Sequence, residues 1–110
     1  MILKYICNIL HRKETTMLHR IIVKYTELVT DHEKFEKEVL ELFNPVTSIE
    51  GIRSVKTVAG LPLAPNRYDL IIEIEMDRES LEAYNECEPH KIWKRDYAKY
   101  VEKKAIFDCE

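Results

Sequence analysis

Two stretches of the chain alternate strictly between apolar and polar positions. In Leu18 to Thr26, His19, Ile21, Val23 and Tyr25 share one face, the two-residue period of a strand covered on one side. In Tyr68 to Met76 the same period puts Tyr68, Leu70, Ile72, Ile74 and Met76 on one face, against Asp69, Ile71, Glu73 and Glu75 on the other. These predict the first and third strands. Ile52 to Ala59 mixes apolar and polar residues, as a strand with one solvated or interface face does. Ala105 to Cys109 predicts a short fourth strand.

Between the strands the period changes to that of helices. Thr30-Asp31-His32-Glu33 has the form of a capping box with Thr30 as the cap. Phe35, Val39, Leu42 and Phe43 then fall on one stripe, and Asn44-Pro45 predicts the stop. His32 falls in the exposed first turn. Gly60 to Asn66, with Pro62 and Pro65, predicts a loop longer than a tight hairpin. Asp77 can cap the next helix, which carries Leu81 and Tyr84 and breaks at Pro89. A second run places His90, Trp93, Tyr97, Tyr100 and Val101 at three- and four-residue steps, ending near Lys103-Lys104.

The order is strand, helix, strand, strand, helix pair, strand. It predicts an α+β fold of ferredoxin-like type: an antiparallel four-stranded sheet with helices on one face. The other face keeps apolar positions, so two copies stacked sheet to sheet are expected to hide them in a homodimer. Residues 1–16 read differently, as an apolar run followed by a polar segment, without the basic start and small-residue cleavage site of an export signal. They are expected to be an N-terminal extension to a domain spanning 17–110.

Composition narrows the function classes. Of the 110 residues, 45% are hydrophobic and 34% charged, with two glycines and four prolines, which suits one ordered domain. Seventeen basic and 20 acidic residues are mixed along the chain, without the basic stripe that tracks phosphates, which argues against a nucleic-acid partner. No apolar run approaches the roughly 20 residues of a membrane span. Cys7, Cys87 and Cys109 are odd in number and widely spaced, so neither a disulfide framework nor a zinc site is expected, and a reducing cytoplasm is the default setting. No cofactor is implied.

The candidate chemistry gathers at the helix break, where Tyr84 and His90 flank Pro89 and His19 faces inward from the first strand. Residues of these types pack helix corners more often than they form sites. Glu73 and Glu75, on a solvated strand face, are expected to serve solubility or an interface.

With these residues in view, the chain resembles the stress-responsive A/B barrel family, the dimeric α/β-barrel proteins abbreviated Dabb. The carriers are the segments 18–25, Tyr68-Asp69-Leu70, Leu81-Glu82-Ala83-Tyr84, Pro89-His90 and Ile106-Phe107-Asp108. The resemblance implies a ferredoxin-like monomer whose sheet pairs with a partner's into a barrel. It also implies a pocket near Tyr84 and His90 for a small apolar ligand, with His19, Trp93 and Tyr97 in its lining. In the family's plant polyketide cyclases a tyrosine and a histidine six positions later act together on a poly-ketone chain. That precedent implies His90 as a base and Tyr84 as a donor in an alternative, cofactor-independent enzyme. Where the family commonly has His-Pro-Ala-His, this chain has Cys87-Glu88-Pro89-His90. A cofactor-free monooxygenase of the same architecture ranks lower, since no residue here marks oxygen chemistry.

Overall fold

A computed structural model describes residues 16–110. The expected extension lies outside these residues, apart from Thr16, which opens the first strand.

Strand β1 (Thr16–Tyr25) pairs antiparallel with β3 (Leu70–Asp77) on one side and β4 (Val101–Cys109) on the other. Strand β2 (Ile52–Ala59) pairs antiparallel with β3, giving the order β2-β3-β1-β4. This is the ferredoxin-like sheet that the element order predicted. Alternation decides its faces: Met17, His19, Ile21, Val23 and Tyr25 of β1 and Leu70, Ile72, Ile74 and Met76 of β3 are all buried. Helix α1 (His32–Phe43) lays Phe35, Val39 and Phe43 on that side. Helices α2 (Leu81–Glu86) and α3 (Glu88–Asp96) add Tyr84 and Trp93 to the same core. Each fully buried aliphatic side chain contributes about 1.5–3 kcal/mol to this packing.

Three local expectations are corrected. The α1 cap is Asp31, whose carboxylate accepts from the Lys34 amide at 3.0 Å, so the cap lies one residue later than Thr30, and Lys34 in the third helical position has no acceptor to complete a box. Asp77 caps nothing with its side chain, because Arg53 of β2 takes its carboxylate at 2.5 Å. The run after Pro89 is helical only to Asp96. Tyr100 lies in a single 3₁₀ turn, and Val101 already belongs to β4, which is four residues longer at its start than expected. Lys103 and Lys104 are strand residues, not helix-end counter-charges.

Paired residues of an antiparallel sheet point to the same face, so the register also fixes the outer side. One row across it reads Ala105, Ile22, Ile71, Val58; the next reads Phe107, Arg20, Glu73, Lys56. Within the second row Glu73 accepts from Arg20 at 2.7 Å and pairs with Lys56 at 3.1 Å. Burial alone would raise the Glu73 pKa, but the hydrogen bonds from its two cationic neighbours outweigh it and hold the carboxyl below its ordinary range. The outer face is therefore an apolar row beside an ionic one in which two cations share one carboxylate. Among the described residues, no helix is long and apolar enough to cross a membrane.

The turn into β2 depends on Gly51, at φ +88°. A methyl there would meet the Ser80 hydroxyl oxygen at 2.1 Å and an Asp77 carboxylate oxygen at 3.2 Å. Since Ser80 also donates to the Glu50 carbonyl at 2.8 Å, this glycine sets how closely the start of β2 approaches the chain entering α2. Gly51→Ala is expected to destabilise the fold by about 1–3 kcal/mol, read as a lower denaturant midpoint. An unchanged midpoint would contradict the close approach.

Candidate functional site

Tyr84, His90 and His19 come together although they arrive from two helices and a strand. Pro89 sits in the first turn of α3, where its missing amide hydrogen costs no helical bond. The chain turns at Cys87, between α2 and α3, and the new helix brings His90 back over the end of α2. The imidazole and phenol rings then lie 4.8 Å apart between centroids. On the other side of Tyr84, the His19 ring stands edge-on at 5.2 Å. One phenol thus sits between two imidazoles.

Their hydrogen bonds differ in kind. His19 Nδ1 lies 2.5 Å from a carboxylate oxygen of Asp108, and an ionised carboxylate only accepts, so Nδ1 carries the proton. β4 makes this possible by pairing Asp108 directly opposite His19. His90 Nδ1 lies 3.0 Å from the Asn85 carbonyl oxygen. That bond also requires a proton on Nδ1, which leaves the lone pair of the neutral ring on Nε2. Among the described residues the Tyr84 hydroxyl has no hydrogen-bond partner, and the residue is 0% exposed.

The protonation states follow from the surroundings. Burial, with Cys87 nearby, pushes the Tyr84 phenol well above its ordinary pKa, so it stays a hydrogen-bond donor. Burial also lowers the His90 pKa. The Asn85 bond opposes that shift, while Lys94, Lys104 and His19 reinforce it. At neutral pH the site therefore holds a neutral base beside a neutral acid.

The other expected lining residues are placed differently. Trp93 borders a cavity of about 260 Å³ at the edge where α3 meets β4, together with Lys94 and Val101. Tyr97 stacks on Trp93 at 5.7 Å and also meets Phe35 at 5.9 Å; it is not part of that cavity's lining. Sequence reasoning gave Asp108, Asn85 and Lys104 no role at the site. The signal for Asp108 was its two-residue offset from Ile106, legible once β4 is read at full length. Among the described residues no cluster of three or more metal-ligating side chains forms.

No family model matches the chain, and no curated protein does. Solved structures do. A dimeric ferredoxin-like protein of unknown function from Thermobifida fusca is similar with a TM-score of 0.69 and 20% identity, over 86% of this chain and 89% of that one. A Dabb family protein with a ferredoxin-like fold from Mesorhizobium loti gives 0.63 and 20%, over 86% and 95%. A hydroxynitrile lyase from Passiflora edulis gives 0.64 and 12%, over 86% and 91%. At these identities the likeness carries the fold, a ferredoxin-like one that a Dabb protein shares.

The lowered His90 pKa has a defined sign. The unfolded chain binds the proton more readily, so the contribution of neutral His90 to stability is complete above about pH 6.5 and is lost as pH falls toward and through the folded-state value. An NMR titration of the His90 ring is expected to give a midpoint below 6.5, moving up in Lys104→Gln. A midpoint above the ordinary imidazole value would contradict the electrostatic account.

Proposed function

We propose that the chain works as a homodimer paired through its outer sheet faces, each copy holding a small, largely apolar ligand beside Tyr84, His90 and His19. The ligand half of this reading is carried by the Tyr84 hydroxyl. Buried polar groups nearly always have a partner, and one left without costs about 1–3 kcal/mol. A ligand with a carbonyl or hydroxyl oxygen offsets that cost by accepting from Tyr84, and the surrounding aromatic rings suit an apolar body.

The dimer half is supported by the outer face. Its ionic row is satisfied within one sheet, while the row through Ile22 and Ile71 ends at Val58, 48% exposed, and Phe107 beside it is 55% exposed. Stacking two such faces removes apolar surface while Glu73 keeps both of its cationic partners within its own sheet. The similar protein from Thermobifida fusca is described as dimeric.

A second reading draws on the paired protonation states: acid–base catalysis without a cofactor, in which His90 Nε2 takes a proton from a carbon next to a carbonyl while Tyr84 donates a hydrogen bond to that oxygen. His19, oriented by Asp108, supports the pocket. A hydroxynitrile lyase has the same fold, and the resemblance to polyketide cyclases rests on the same tyrosine and histidine.

Thermal-shift screening of small apolar carbonyl compounds tests the ligand half. A compound that binds at a hundred times its Kd adds about 2.7 kcal/mol of stability. Tyr84→Phe is expected to fold at least as stably as the parent without ligand and to lose most of that gain. Equal shifts in both proteins would contradict the role of the hydroxyl. Sedimentation is expected to give twice the 13.1 kDa chain mass, falling to the monomer in Ile71→Glu; a monomeric parent would contradict the dimer.

A further inference from the structure

The cavity beside Trp93 has an unbalanced charge. Its lining includes Lys94, Lys103 and Lys104 against one acidic residue, Glu102, and of the three lysines Lys103 alternates to the opposite face of β4 from Lys104. Among the described residues, neither Lys94 nor Lys104 forms an ion pair. Lys103 lies 6.0 Å from the centre of the Tyr68 ring. The register places Lys104 opposite buried Val23, on the helix-covered side of the sheet. Both Lys94 and Lys104 also act electrostatically on His90.

Like charges gathered at an apolar wall repel one another and raise the local potential for an anion. The apolar part of the wall is supplied by Trp93, Ala98 and Val101. A cavity of about 150 Å³ is enough to hold benzene, so 260 Å³ suits a small molecule with a short polar end.

We propose that this cavity takes the carboxylate of a small apolar acid, with Lys94 and Lys104 on the anion and Trp93 against the apolar body. This position is separate from the one beside Tyr84, His90 and His19, none of which lines the cavity. Glu102 disfavours a dianion and leaves room for one carboxylate. The two lysines stand on different elements, α3 and β4, so the anion also bridges the helix to the edge strand.

Trp93 is the single tryptophan of the chain, so its emission reports binding at this position. Hexanoate and its neutral counterpart hexanamide form a matched pair of probes that do not absorb where tryptophan does. Hexanoate is expected to bind about tenfold more tightly than hexanamide at low salt, with the preference shrinking as salt is added. In the Lys94→Gln/Lys104→Gln double variant the two probes are expected to bind within about twofold of each other, with the melting midpoint kept because both side chains are exposed. Equal binding of acid and amide to the parent protein would overturn the charge inference while leaving the ligand reading in place. An acid preference that survives in the double variant would overturn it as well, by putting the anion elsewhere. Emission unmoved by either probe would overturn this inference alone, since the ligand reading stands or falls with the Tyr84→Phe comparison.

Discussion

The covering of one sheet face by helices is the constraint from which the rest of the structure follows. Because β1 and β3 alternate without interruption, every second residue is carried inward, whatever its chemistry. In β1 this brings in His19 together with Met17, Ile21, Val23 and Tyr25. An inward imidazole requires a partner, and the edge strand supplies Asp108 directly opposite. Tyr84 is brought in by the same packing, from α2, yet none of the described residues provides a partner for its hydroxyl. The site is thus a consequence of core packing that satisfies one buried polar group and leaves the next open.

The helix break controls what stands next to that phenol. A continuous helix from Leu81 onward would carry His90 away from Tyr84, since six residues amount to more than one and a half turns. Ending α2 at Glu86 and restarting at Glu88 folds the chain back, and the bond from His90 to the Asn85 carbonyl fixes the ring. The corner Cys87-Glu88-Pro89-His90, which departs from the pattern of the family the sequence resembles, still brings the two rings together. Cys87 in that position contributes to the high pKa of Tyr84.

Much of this was legible in the sequence because it depended on local period. β1 and β3 were readable from alternation, as each is covered on one face, and the α1 stripe of Phe35, Val39 and Phe43 was readable for the same reason. What escaped was set by partners distant in sequence. Asp77 looked like a cap, but its carboxylate answers to Arg53, across the β2–β3 pair. Lys103 and Lys104 looked like helix-end residues because β4 is an edge strand with most of its side chains exposed, so it lacks the apolar alternation that marks a strand. Asp108 shows no role in the sequence, since its partner lies 89 residues away. At the site, the pairing of Tyr84 with His90 could be anticipated from spacing around a proline, whereas the missing partner of the hydroxyl is a property of the packed interior alone.

The claim on which the account turns is that the Tyr84 hydroxyl is kept for a bound molecule. A crystal structure with a thermally stabilising compound tests it most directly. The account predicts an oxygen of that compound about 2.7 Å from the phenolic oxygen, with the apolar body against neighbouring rings. A compound seated away from Tyr84, with the hydroxyl bonded to a trapped water, would contradict it.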